Sequence, residues 1–417
     1  MLKQFWLSLL MLLSTTAAAE TVRLPPAVLS GLNQAQAAMA EAQYDKAEQA
    51  LSGLAKKELS PPAQAYLLQF RGNLALTRKQ DKAALDYFGG AYELNALPAQ
   101  SQRSLLHTLA QLQLSQEHWH AGVQSLSRWM QQVREKGQAD ETIRANDYLL
   151  LAQGYAQLEQ WAQVVKPVAT AIAMKGQAPE DWYRLQLAAH FQLKQWKGAT
   201  AVLELLVSRY PQRERYWEQL ASVYQIRDRH TDALATLRAA WAGGKFTRER
   251  QYVWLAQLLL QQGLPQRAAE LLAEAMQTKQ LTRTLKHERL LAQTQLQARL
   301  YEQGRATLAR IAQRQPDFKT WRQIAYLDMR LQQWGAMKRS IDQAVSLKPD
   351  AAELYLLSGI ADVKRADYPQ ARRSFKKASA FDDTRTQAES WLNYLNQVTG
   401  EVAEARHASV TENTRRS

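Results

Sequence analysis

Residues 217–240 read WEQLASVYQIRDRHTDALATLRAA, and the spacing inside this stretch decides the architecture. Trp217, Leu220, Ala221 and Tyr224 fall at i, i+3, i+4 and i+7, which is one face of a helix. After a polar break, Ala233, Leu237 and Ala240 make a second stripe of the same kind. The pattern then returns: Trp321, Ile324, Ala325, Met337, Ile341 and Ala344 repeat it, and Tyr355, Gly359, Ala371, Phe375 and Ala378 repeat it again. Matched members of these last two sets are 34 residues apart. A small residue four positions after a large one shares its face, so it admits a side chain from the neighbouring helix and lets the two approach closely.

A 34-residue period built this way is the pattern of the tetratricopeptide repeat. Further units are marked by Tyr44 with Ala47, Phe88 with Ala91, Trp119 with Leu126, and Tyr155 with Trp161. Trp196 with Leu203, Ala268 with Leu272, and Tyr301 with Leu308 complete about ten. The expected fold is all-α, a right-handed superhelix of about ten helix-turn-helix repeats without a sheet. Pro211, Pro316 and Pro349 are placed to stop second helices. Trp119, Trp161, Trp196 and Trp334 share one place at the turn into a second helix, so they read as packing residues and not as a ligand-stacking surface. Trp119 and Trp161 are 42 apart, and the excess falls in the polar stretch 133–142, the expected loop extension or hinge.

The chain opens with Met1-Leu2-Lys3, an apolar run from Phe5 to Leu13, and Ala17-Ala18-Ala19 before Glu20. A positive start, a short apolar segment and a small-residue cleavage site make a secretory signal, with cleavage expected after Ala19. The run is too short to cross a bilayer, so no transmembrane span is expected in the mature chain. The expected organisation is a signal peptide over 1–19, N-terminal repeats over 20–136, and central and C-terminal repeats over 137–383. A capping helix over 384–397 and a disordered tail over 398–417 follow.

With no cysteine, disulfides, thiolate metal sites and lipidation at an N-terminal cysteine are excluded. Export without cysteine fits a bacterial periplasm. The net charge of +14 would suggest nucleic acid for a cytosolic chain. Export argues against that and favours an acidic stretch on a protein, a cell-wall polymer or anionic headgroups.

No catalytic constellation is present, and neither a cofactor nor a metal is expected. His118 and His120 flank Trp119, but residues two apart on a helix point away from each other. Asp382 and Asp383 sit where one helix ends and the next begins, which suits capping. The positions expected to face a partner lie two before and one after the aromatic position of each first helix. They read Arg215, Arg250, Lys286 and Lys319, then Glu218, Val253, Arg289 and Arg322, with Arg330 and Lys364 further along the same side. This basic row is either a docking surface or the solvated face of a basic protein.

Three stretches carry a closer resemblance. They are Tyr216 to Tyr224, Leu255 to Leu258 with Gly263 to Leu272, and Gln387 to Leu395. They resemble the periplasmic tetratricopeptide proteins associated with TonB energy-transduction systems. The resemblance implies no catalytic residues. It implies an accessory role beside TonB-like, ExbB-like and ExbD-like proteins in uptake of iron chelates or similar nutrients across the outer membrane. A scaffold for envelope assembly or exopolysaccharide export is the alternative.

Overall fold

The computed structural model describes residues 23–137 and 141–416, with side chains up to residue 400. The expected leader and its cleavage point lie outside the described residues. Among those residues the chain forms 21 helices and no strand, and it divides between Tyr210 and Pro211 into two compact units.

The first unit holds five helix pairs. They are α1 (Pro26–Ala40) with α2 (Tyr44–Ala55), α3 (Pro61–Thr77) with α4 (Asp81–Glu93), α5 (Ala99–Ser115) with α6 (Trp119–Lys136), α7 (Ala145–Gln157) with α8 (Trp161–Lys175), and α9 (Glu180–Gln192) with α10 (Trp196–Arg209). The second unit holds five more and a last helix. Its pairs are α11 (Glu214–Ile226) with α12 (His230–Ala242), α13 (Glu249–Gln261) with α14 (Pro265–Gln277), α15 (Leu285–Gln297) with α16 (Tyr301–Arg314), α17 (Phe318–Arg330) with α18 (Trp334–Leu347), and α19 (Ala352–Lys364) with α20 (Tyr368–Ala378). The last helix is α21 (Arg385–Arg416). Within each unit every helix packs on its chain neighbours. Each unit is therefore the tetratricopeptide-like stack that the 34-residue period implies.

The stripes that define the period form the core. Ala233, Leu237 and Ala240 are buried, as are Met337, Ile341 and Ala344, and Ala371, Phe375 and Ala378. Close approach at the small positions is severe. A Cβ added to Gly359 would lie 2.4 Å from the Phe375 ring, and one added to Gly72 would lie 2.4 Å from the Phe88 ring. Trp119, Trp161, Trp196 and Trp334 each begin a second helix, and Tyr44, Tyr301 and Tyr368 occupy the same place. The second helices α10, α16 and α18 end within two residues of Pro211, Pro316 and Pro349.

The turn inside each pair is uniform. Two residues before every second helix the backbone has positive φ, from Ala42 (58°) to Ala366 (58°), yet only Gly263 (71°) among the ten is glycine. The residue after it donates its N–H to a carbonyl in the last turn of the first helix, as Gln80 does to Ala75 (2.8 Å) and Gln333 to Asp328 (2.8 Å). This is the left-handed helix stop that usually recruits glycine.

Two boundaries differ from the sequence reading. The longest connection between a second helix and the next first helix runs over 137–144, because α6 continues to Lys136; residues 138–140 of it lie outside the described residues. The last helix does not stop near residue 397 but continues to Arg416, where a disordered tail was expected. Residues 398–416 contain no proline and many helix formers, including Ala403, Glu404, Ala405 and Arg406, which carry the helix past Gly400.

Candidate functional site

The five first helices of residues 211–417 present one continuous set of positions. Arg250 of α13 donates to Glu218 of α11 at 2.6 Å, and Gln251 donates to the same carboxylate at 2.8 Å. Trp254 Nε1 donates to Gln225 at 2.9 Å, and Arg322 of α17 lies 3.5 Å from Glu353 of α19. α11 and α13, and α17 and α19, thus lie within side-chain reach of each other, and the residues two before and one after the fourth helical position share a face.

The eight cations expected on that face are all exposed, but they are not equivalent. The Arg215 guanidinium lies 4.8 Å from the Tyr216 ring and donates to its hydroxyl at 2.8 Å. Arg250 is committed to Glu218. Arg330, in the last turn of α17, lies 4.6 Å from the Tyr301 ring and bonds its hydroxyl, so it turns toward α16. Lys364 ends α19, away from the others. The remaining four fall together at the starts of α15 and α17. Arg289 reaches Gln315, just before α17, at 2.9 Å. Arg322 pairs with Glu353 at 3.5 Å and lies 5.9 Å from the Phe318 ring of its own helix. Among the described residues no carboxylate lies within ion-pairing distance of Lys286 or Lys319.

Asp317 caps α17 beside them. Burial pushes its carboxyl up, but hydrogen bonds from the Thr320 hydroxyl and N–H, the nearby Arg289 charge and the Lys319 N–H outweigh that and hold it below the usual carboxylate range. The cap is therefore an anion held by its own helix and by Arg289 of α15.

Sequence reasoning missed a set of buried polar residues behind this face. Glu288 occupies the aromatic position of α15, is buried, and pairs with Arg314 at 2.9 Å and Arg310 at 3.5 Å. Behind it runs a ladder. Thr307 donates to Gln295 at 2.8 Å; Ser340 donates to Asp328 at 2.7 Å, with Arg305 of the preceding pair on the other carboxylate oxygen. Ser374 donates to Asp362 at 3.3 Å, with Lys338 of the preceding pair at 3.2 Å, and Arg372 reaches Asn396 of α21 at 2.5 Å. The signal was available. Gln295, Asp328 and Asp362 are 33 and 34 apart, as are Thr307, Ser340 and Ser374.

Among the described residues no three histidine, cysteine or carboxylate side chains are grouped to hold a metal ion. His118 precedes α6 and His120 lies in its first turn. Asp382 pairs with Arg385 at 2.6 Å at the start of α21. No described helix is long and apolar enough to cross a membrane.

No family model matches the sequence, and no curated protein matches it. Among solved structures the chain is similar to a tetratricopeptide repeat protein from Parabacteroides merdae, with 14% identity over 65% of this chain and 99% of that one, at a TM-score of 0.34. It is similar to Naa15/Naa10 bound to HypK-THB, with 11% identity over 91% of this chain and 67% of that one, at a TM-score of 0.45. It is also similar to MamA from Desulfovibrio magneticus, with 16% identity over 40% of this chain and 95% of that one, at a TM-score of 0.30. With TM-scores below 0.5, these likenesses say nothing about what this chain binds.

Proposed function

We propose that this chain is a non-catalytic protein-interaction scaffold, exported to the periplasm, that assists a TonB–ExbB–ExbD type system in energised uptake of iron chelates or similar nutrients. The observation that carries the scaffold reading is the face of α15 and α17. Lys286, Arg289, Lys319 and Arg322 stand exposed there on successive first helices, and Lys286 and Lys319 have no carboxylate partner among the described residues. Stacked helix pairs present such a face to a partner without moving. The choice of system rests on the sequence resemblance of residues 216–224, 255–272 and 387–395, and export rests on the leader.

Affinity capture from an envelope fraction, together with a deletion strain grown on chelated iron, tests this. The expected outcome is recovery of a TonB-, ExbB- or ExbD-like protein, and weakened uptake with receptor binding intact. Unimpaired uptake with a defect in surface polysaccharide would move the scaffold to envelope assembly. A mature N-terminus at Glu20, read by mass spectrometry, is expected, and an intact Met1 would overturn export.

A further inference from the structure

We propose that this face is bipartite and takes an extended segment of a partner protein bearing two acidic side chains three residues apart and a large apolar side chain three residues beyond. The inference rests on the scaffold reading and names the chemistry of its partner.

Three equivalent positions of successive first helices carry it. In α15 they are Arg289, Gln293 and Leu296; in α17 they are Arg322, Tyr326 and Met329; in α19 they are Leu356, Ile360 and Val363. Each set falls at i, i+4 and i+7, so each lines one helix face. The face therefore changes from cationic to apolar along the stack. The change is bounded on both sides. Toward the chain start, Arg250 is closed off by Glu218 and Val253 replaces the next cation. Toward the end, Glu353 meets Arg322 at 3.5 Å, and beyond it no cation occupies these positions.

Where the charge ends, apolar surface begins. Tyr326 is 38% exposed, one turn along α17 from Arg322. Leu356, Ile360 and Val363 are half-buried against the cluster around Phe375 and Leu395, which fixes their backs and leaves their outer edges to solvent. A large aromatic left exposed beside such a strip is the mark of a surface that a partner covers.

The spacing of the partner's residues follows from geometry. Long side chains bridge successive first helices, as Arg322 does to Glu353 at 3.5 Å, which sets them about 10 Å apart, and an extended chain advances about 3.3 Å per residue. About three residues therefore pass from one first helix to the next. One acidic side chain meets Lys286 and Arg289, the next meets Lys319 and Arg322, and the apolar one meets Tyr326 and Ile360. A polyanion alone, such as a phosphate chain or an acidic polysaccharide, would use only the first part.

The test is fluorescence anisotropy of a labelled peptide of about eleven residues with the sequence pattern Glu-x-x-Glu-x-x-Leu, titrated with the full chain. Arg289→Glu with Arg322→Glu should weaken binding at least about ten-fold, and raised salt should do the same, because exposed charges are screened over about 10 Å at 0.1 M salt. Replacing the peptide leucine by serine should weaken binding about ten-fold, the effect of losing one buried large side chain. Tyr326→Ser, at an exposed position that leaves the fold intact, should weaken it several-fold. Equal binding of a peptide with the same composition in scrambled order would overturn the proposal. So would an unchanged affinity after the leucine is removed, which would reduce the face to a site for any polyanion. If the peptides fail while envelope capture still recovers a partner, the bipartite face falls and the scaffold reading stands. If the peptides bind and capture recovers no TonB-, ExbB- or ExbD-like protein, the face stands and the choice of system falls.

Discussion

In residues 1–210 the buried ionic groups gather at one connection, whereas in residues 211–417 they recur with the repeat. The first cluster surrounds the long segment 137–144. Arg103 of α5 makes a two-pronged bond to Glu141 at 3.0 and 2.6 Å, and His107 meets Asp147 at 2.8 Å while its ring stacks on Trp129 at 3.8 Å. Both carboxylates belong to the connection or to the first turn after it, so the cluster ties down one irregular joint. The ladder of the second unit differs in kind. Asp328 and Asp362 come from helices, and each is held by a hydroxyl of its own pair and a cation of the preceding pair. These two rungs therefore each link one pair to the next. The charge of the sequence is also uneven, with 33 basic against 22 acidic residues over 211–417 and 20 against 17 over 1–210. The candidate face lies in the more basic unit.

The largest expected effect separates ladder from cluster. Asp328→Ala leaves Arg305 and Ser340 without their buried partner, and removing one member of a buried pair costs about 3–5 kcal/mol. Asp147→Ala should cost less, about 1–3 kcal/mol, because His107 keeps a second partner in Gln111 at 3.2 Å, whereas the buried Ser340 hydroxyl loses its carboxylate when Asp328 goes. Replacing the whole rung, as Arg305→Met with Asp328→Leu and Ser340→Ala, should be neutral or stabilising. Guanidinium unfolding measures all three. Equal losses at Asp328 and Asp147 would erase the distinction.

A second prediction concerns what the units share. Gly72→Ala and Gly359→Ala each drive a Cβ to 2.4 Å from a buried phenylalanine ring, and overpacking of this kind costs about 1–3 kcal/mol. The two losses should agree within error in thermal unfolding. A much smaller loss at Gly359 would mean that the polar seam beside it yields more than the apolar seam beside Gly72.

These contrasts explain what the sequence shows directly. The apolar period was legible because Trp217, Leu237 and their equivalents recur at helical spacing, and the tryptophans that open α6, α8, α10 and α18 were legible for the same reason. The ladder was equally periodic but hidden, since a search for apolar stripes passes over Asp328 and Ser340. Arg103 and Glu141 are 38 residues apart with no period to reveal them. The basic row was visible as a row, but only geometry separates Lys286 and Lys319 from Arg250, whose partner Glu218 sits one helix away. The turns were invisible because nine of the ten positive-φ positions are not glycine.

A smaller effect is expected at the start of α17. Asp317→Ala should cost about 1 kcal/mol, the usual loss for an N-cap. Because its folded carboxyl lies below the ordinary value of about 3.9, the contribution is complete above that value and is lost as pH falls through the lower folded value. An acid titration monitored by circular dichroism should therefore show wild type and Asp317→Ala converging only at strongly acidic pH.

The smallest effect tests whether the turn belongs to the repeat or to its seam. Ala366 and Lys79 hold φ near +58° and +59° at equivalent places in the two units. A left-handed conformation costs an L-residue about 1–2 kcal/mol, and glycine avoids that cost while losing roughly 0.5–1 kcal/mol through the freedom of its unfolded chain. Ala366→Gly and Lys79→Gly should each stabilise by about 0.5–1 kcal/mol, read as a higher guanidinium midpoint with an unchanged slope. The two gains should match, because the hydrogen bond that closes each turn uses a backbone carbonyl, of Asp362 in one case (2.9 Å) and Ala75 in the other (2.8 Å), whatever side chain stands there. A gain at Lys79 with none at Ala366 would show that the Asp362 side chain, held by Lys338 and Ser374, already fixes the turn through its own backbone. The ladder would then shape the chain path of the second unit as well as join its pairs.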